Sequence, residues 1–172
     1  MTRPEAAAEL PPDVDADAFR AAMRELAAGV TIVTAGTADG RRGLTATAVC
    51  SVSADPPTLL ACINRATDGH AAIAAAGHFC VNVVAAEHRD LAERFAGRDG
   101  SHGVERFERG DWDRLVTGAP VLADAVAAFD CRVVEAMSWG THTIFIGRVA
   151  ATRIAPARAG LVYRAGAFAP AH

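Results

Sequence analysis

Apolar and polar positions alternate most clearly over residues 43–53, GLTATAVCSVS. Leu44, Ala46, Ala48, Cys50 and Val52 are apolar, while Thr45, Thr47, Ser51 and Ser53 carry short hydroxyl side chains, with Val49 as the exception. A repeat of two is the period of a strand with one face on a core. Its other face lacks the long charged or aromatic side chains of an ordinary solvent face. Apolar runs of strand length recur at VTIVTA, TLLACIN and HFCVNVV, and two longer runs fill residues 127–154. Residues 160–168, GLVYRAGAF, read as a closing hairpin, and Asp39-Gly40 predicts a hairpin turn. Phe19, Met23 and Leu26 have helical spacing, in a helix predicted to start near Ala16 behind Asp15 or Asp17 and to stop at Gly29. Residues 68–76 and 85–97 predict two further helices. Residues 98–120 have no period and form a long surface excursion, of a kind that often carries function.

About six or seven strands, joined mostly by turns, argue against a doubly wound parallel sheet. The expected fold is mainly β with a few helices, an antiparallel barrel of Greek-key type with the helices packed outside. The chain's 172 residues suffice for one domain with a real core, expected over 15–172 behind a flexible N-terminal arm at 1–14.

Composition narrows the chemistry. Hydrophobic residues make up 51% and charged ones 22%, as in a globular protein. The 17 basic residues, all Arg, face 20 acidic ones, and a net charge of −3 argues against nucleic acid as a partner. Without lysine there is no Schiff-base chemistry. Cys50, Cys62, Cys80 and Cys131 have no CxxC spacing and are expected to be buried, reduced thiols in a cytoplasmic protein. The N-terminus lacks the apolar segment of a secretory signal, and no run reaches membrane-spanning length.

The usual catalytic signatures are absent: GxGxxG, the P-loop, GxSxG and HExxH. His70, His78, His88 and His102 are scattered, and no metal site is expected. Arg41-Arg42 reads as a solvated hairpin end. Three segments remain, each with two readings. The Thr/Ser face of the alternating strand is a low floor for a flat ligand, or a surface that lets a helix approach closely. INRATDGH joins Asn64, Arg65 and Thr67 to a helix start, as an anion pocket or as a plain N-cap by Thr67 or Asp68. In WGTHTIFIG, His142 meets a ligand or caps a turn.

Taken in order, FRAAMRELAAGVTIVTA, GLTATAVCSVSADPPTLLACINRAT, GHFCVNVV, LAERFAG, GAPVLADAVAAFDCRV, WGTHTIFIGRV and LVYRAGAF resemble the short-chain flavin reductase family. These are NAD(P)H:flavin oxidoreductases, the small components of two-component monooxygenases. The resemblance implies a split β-barrel, a homodimer, and a reaction in which exchangeable flavin is reduced and passed to a partner monooxygenase. It places Thr45, Ala46, Thr47, Ala48 and Val49, with Ser51 and Val52, along the flavin ring. Asn64, Arg65, Ala66, Thr67 and Asp68 would hold the ribityl and phosphate portion. Phe95, Ala96, Gly97 and Arg98 would approach the distal part of the flavin. His142 and the hairpin residues Gly166, Ala167, Phe168 and Ala169 would face the nicotinamide nucleotide.

The implied cofactors are FAD or FMN, with FAD favoured by the Gly97-Arg98 segment. NADH is favoured over NADPH, because no basic pair awaits a 2′-phosphate. No catalytic side chain is implied, since the hydride passes between cofactors. Two positions depart from the family pattern: Thr141 stands where an Asp is frequent, and Gly166-Ala167-Phe168 replaces a basic Gly-Arg/Lys-Tyr. Two alternatives share the same motifs, a flavoprotein that keeps its flavin and reduces another small molecule, and a non-catalytic flavin carrier.

Overall fold

Helix α1, Ala16–Glu25, is capped by Asp15, whose carboxylate accepts the N–H groups of Asp17 and Ala18 at 2.9 and 2.8 Å. It ends before the predicted stop at Gly29. Ala28–Gly29 is instead a short strand, β1, pairing with Tyr163 and Val162 near the C-terminus, so a distant strand claims the backbone a longer helix would use. The computed structural model describes residues 13–155 and 158–171. The arm expected over 1–14 therefore lies, except for residues 13 and 14, outside the described residues.

Eleven more strands follow. They are β2 (Thr31–Ala35), β3 (Arg42–Ala46), β4 (Val49–Ala54), β5 (Pro57–Asn64), β6 (His78–Val83), β7 (Trp112–Arg114), β8 (Pro120–Leu122), β9 (Ala127–Trp139), β10 (His142–Ile154), β11 (Leu161–Arg164) and β12 (Ala167–Pro170). Helices α2 (Asp68–Ala76) and α3 (Arg89–Phe95) complete the set, α3 entered through a 3-10 turn, Ala86–His88. Seven strands form one sheet in the order β3-β2-β6-β9-β10-β5-β4, antiparallel at every pairing. Its two edges, β3 and β4, are consecutive in the chain. The sheet curls until these edges approach but do not pair: this is the split barrel.

The alternating run over residues 43–53 is therefore two strands, broken at Thr47 and Ala48. The Ala48 carbonyl leaves β3's side of the gap to accept the Cys62 N–H of β5 at 2.9 Å. The aperiodic stretch over residues 98–120 also holds structure. It contains a 3-10 turn, Gly103–Glu108, the strand β7 and the start of β8, with which β7 pairs.

Strand β2 is buried on both faces. Val33 and Ala35 point into the barrel with Ile63, Phe79 and Phe145, roofed by Ile73 of α2. Val30 and Ile32, at and beside its start, point outward beneath Leu91 and Phe95 of α3, with Phe107, Leu161 and Phe168. Each such side chain contributes about 1.5–3 kcal/mol by leaving water. On the outer face, Asn82 donates to Ile32 O at 3.0 Å and accepts from Leu122 N–H at 2.8 Å. The buried Asp130 carboxylate accepts from the Thr117 N–H at 2.7 Å and from its hydroxyl. These bonds pin the far end of the excursion to the sheet.

Cys80 and Cys131 are buried as expected, but Cys50 is exposed and Cys62 half-buried. The reason is position: β4 is an edge strand with little laid over it, and Cys62 opens on the gap of the barrel. Burial, reinforced by the Asp130 carboxylate, pushes the Cys131 thiol up to about 12 and the Cys80 thiol well above its usual value.

Candidate functional site

A cleft of about 350 Å³ occupies the gap. Its floor is Leu44, Thr45, Ala46, Thr47 and Ala48, where β3 leaves the sheet. Cys62, Asn64 and Thr67 form one wall, Phe95, Ala96 and Arg106 the other, and His142 stands at the rim. An edge strand leaves backbone N–H and C=O groups unpaired, so this floor offers main-chain bonding to the rim of a ligand.

The Thr/Ser strand divides between close approach to helices and the border of an open cleft. Its first part lies beneath helices: the Thr45 hydroxyl donates to Ala92 O of α3 at 2.6 Å. A Cβ on Gly43 would stand 2.6 Å from a ring carbon of Phe95, and one on Gly69 would stand 2.3 Å from Leu44 Cδ2. Only the absent side chains let α3 and α2 sit so close. Its second part, Ala46 to Ala48, lines the open cleft.

At the start of α2, Thr67 is the N-cap. Its hydroxyl oxygen accepts the His70 N–H at 3.2 Å and donates to Asn64 O at 2.8 Å. Asn64 Oδ1 accepts the Ala66 N–H at 2.9 Å, so the turn holds itself together. Arg65 and Asp68 are exposed. The Arg65 guanidinium makes no hydrogen bond or ion pair among the described residues, and it borders a shallow extension of the cleft with Asn64, Ala66, His70 and Thr141. The N-cap is realised by Thr67, and Arg65 stands exposed beside the helix start.

His142 opens β10 opposite Asn64 of β5 and Trp139 of β9. Its Nδ1 lies 2.9 Å from the Thr141 hydroxyl, so the ring both borders the cleft and braces the turn.

The C-terminal hairpin lies elsewhere. Phe168 is buried in the outer core, edge-on to Tyr163 at 5.2 Å, with the Arg98 guanidinium 5.0 Å above its ring. Arg98, Tyr163 and Phe168 line a smaller cleft of about 160 Å³ that shares Thr45, Thr47 and Ala96 with the main one. Gly166, Ala167 and Ala169 are exposed and line neither. His142 and the hairpin therefore belong to neighbouring clefts. Val49 and Ser51 are separated further, because the strand break sends them to an apolar cleft of about 400 Å³ with Leu59, Val81, Phe129 and Val149. Val52 is exposed beside it. Gly97 adopts a left-handed φ of 75° at the end of α3, which delivers Arg98 to Phe168.

Three cleft residues stand outside the sequence-based set: Leu44, read only as an apolar position of its strand, Cys62 and Arg106. Cys62 lies two positions before Asn64 on one strand and so shares its face, a signal present in the sequence. Arg106 comes from the aperiodic stretch, where no pattern marks it. Arg41, read as solvated, is half-buried with its guanidinium 4.9 Å from the Phe107 ring centre.

Comparison with known proteins identifies the fold and the family. The flavin reductase like domain matches residues 23–172. The FMN reductase (NADH) RutF 2 of Methylorubrum extorquens (strain PA1) is 50% identical over 141 residues, 82% of this chain and 81% of that one. BorF, the flavin reductase component of a bacterial two-component tryptophan halogenase, has a TM-score of 0.83 at 35% identity, covering 91% of this chain and 98% of its own. The Streptomyces globisporus NADH:FAD oxidoreductase SgcE6, solved with NAD and FAD fragments, has a TM-score of 0.82 at 35% identity, covering 94% and 96%. The chain belongs to the flavin reductase like domain family.

Proposed function

We propose that the protein is an NADH-dependent flavin reductase, which reduces exchangeable flavin in the cleft between β3 and β5 and releases it to a partner monooxygenase. One observation carries the placement: the floor Thr45–Ala48 is low, open and made of edge-strand backbone. The residues present fit a flavin. Edge N–H groups meet the polar rim of a flat ring, Ala46 and Ala48 leave its face uncovered, and Arg65 at the start of α2 meets a phosphate.

Nicotinamide supplies the hydride and flavin accepts it, so the difficult chemistry belongs to the cofactors. The chain's task is placement. Thr45 to Ala48 set the plane of the ring, Asn64 and Thr67 flank its tail, and His142 limits access at the rim. The neighbouring cleft beneath Arg98 and Phe168 suits the second nucleotide, since it adjoins the ring's floor at Thr45 and Thr47. Backbone N–H groups along the floor are placed to stabilise negative charge gained on reduction.

Release requires modest affinity: a dissociation constant of about 1 μM corresponds to roughly 8 kcal/mol. An open cleft bordered by short side chains suits that range. Relatives named FMN reductase (NADH) make FMN and NADH the first pair to assay, with FAD second because SgcE6 acts on it. The free cysteines suit a reducing cytoplasm. No helix among the described residues is long and apolar enough to cross a membrane. The working unit is a homodimer, supported by the apolar side chains exposed on β9, Val134, Met137 and Trp139.

Anaerobic mixing with NADH and excess FMN or FAD tests the reading. Many equivalents of flavin bleach per protein if it is right. A single equivalent from protein that purifies yellow would mark a tight flavoenzyme, and no bleaching would mark a carrier.

A further inference from the structure

We propose that Arg106 supplies the counter-charge for an anionic group of the bound flavin at the α3 end of the cleft. This rests on the placement of flavin over Thr45–Ala48, and it assigns a role to a side chain outside the sequence motifs.

Arg106 reaches the cleft wall from the 3-10 turn Gly103–Glu108. Its Nε donates to Ser101 O at 3.1 Å, and its Nη1 donates to Gly43 O and Phe95 O, each at 3.1 Å. Three carbonyls from three elements fix the guanidinium: the strand that becomes the floor, the end of α3, and the loop. Nη2 makes none of these bonds and lies beside Gly97, 3.2 Å from where a Cβ would be.

The charge is what needs explaining. Arg106 is half-buried and has no carboxylate partner among the described residues. Acids are close in sequence, but each is turned away. Asp99 and Glu108 pair with Arg94, and Glu105 accepts the His102 N–H. Arg94 itself donates to the carbonyls of Arg106 and Glu105, so one arginine collects the acids and holds the turn that presents the other. A cation without a carboxylate partner among the described residues, lining a cleft and braced by neutral acceptors, is matched to an anion that comes and goes.

Two sources supply that anion: the flavin's phosphate, shared with Arg65 or met by Arg106 in its place, or the charge its ring gains on reduction. The rival is mechanical, since Phe95 O lies at the C-terminal end of α3, where a guanidinium also serves as a cap.

Equilibrium binding separates these. Arg106→Gln, Arg106→Lys and the wild type are titrated with riboflavin, FMN and FAD, each oxidised and each reduced by dithionite, with folding checked by thermal melting. If phosphate is the anion, Arg106→Gln weakens oxidised FMN or FAD by about tenfold or more while riboflavin stays within about twofold, and Arg106→Lys recovers most of the loss. If the reduced ring is the anion, Arg106→Gln weakens all three flavins by a similar factor in the reduced state alone. Equal losses for every flavin in both states, in Lys and Gln variants alike, would leave only the brace and overturn the proposal, as would no loss at all. Should Arg106→Gln not fold, an Arg65→Ala background decides: there, raising salt must still weaken FMN or reduced riboflavin more than oxidised riboflavin, and equal salt effects overturn the proposal. Ala48→Trp is the control for the site. If it fails to weaken flavin binding, the placement over Thr45–Ala48 is wrong; if it blocks binding while Arg106→Gln changes nothing, only the Arg106 role falls.

Discussion

Cys62 shows what one residue reports about the cleft. It lies on the face of β5 that carries Asn64, half-buried among the floor residues, while Cys50 lines a different, apolar cleft. Cys80 and Cys131 are buried with raised thiol pKa values, so neither supplies appreciable thiolate while the protein is folded. Alkylation followed by peptide mass spectrometry should therefore modify Cys62 slowly in free protein and more slowly still under saturating FMN. Cys50 should not respond to flavin, and Cys80 and Cys131 should react only on unfolding. A Cys62 rate indifferent to flavin would place the ring elsewhere.

Among the elements, the stretch 98–108 behaves as a built piece and not as slack chain. Arg94, only 11% exposed in its side chain, pairs with Asp99 at 2.8 Å. Asp99 accepts the Ser101 hydroxyl at 2.6 Å and the Ser101 N–H at 3.0 Å. These bonds from Ser101, with Arg94 adding to them, hold the Asp99 carboxyl down at about 2, against its ordinary 3.8. A carboxylate depressed in the folded state stabilises it fully above the ordinary value and loses that effect as pH falls toward the lowered one. Exchange protection of the Ser101 amide should accordingly hold down to pH about 4 and fade as the pH falls to about 2. Asp99→Asn should lose much of that protection even at neutral pH, and equal protection in both proteins would show that the loop is held by other bonds. None of this is visible in the sequence, where Gly, Asp and Arg follow one another without period. The helix around Phe19 was legible from its helical spacing, the one around Ile73 from its run of alanines, and strands such as TLLACIN as apolar runs of strand length. The break at Thr47 and Ala48 was not, because the apolar–hydroxyl alternation continues across it; only the curl of the sheet decides that Thr45 and Ser51 serve different clefts. Thr45 to Ala48, Asn64, Thr67 and His142, singled out by local pattern and by the family resemblance, line one cleft. Arg106 depends on contacts with Gly43 and Phe95, far away in the chain.

On the scale of the whole molecule, the free end of β9 is the feature a lone chain does not account for. Strand β6 begins at His78, opposite Arg132, so β9 beyond that point has β10 on one side and, among the described residues, no sheet neighbour on the other. Along this free edge Val134 is 55%, Met137 50% and Trp139 79% exposed. An unpaired edge bearing large apolar side chains is a template for another chain, and soluble proteins ordinarily blunt such edges with charge. Here Glu135 is the only charged side chain from Val134 to Trp139. A second copy, offering the same edge across a two-fold axis, would cover both at once. Light scattering should give twice the chain mass at micromolar concentration, and Trp139→Glu or Val134→Glu should shift it toward one. The cleft floor at Thr45–Ala48 belongs to other strands, so a Trp139→Glu monomer that still melts cooperatively would show that the barrel folds without its partner. A wild type that stays monomeric at high concentration would leave the β9 edge to a different kind of partner and end the dimer proposal.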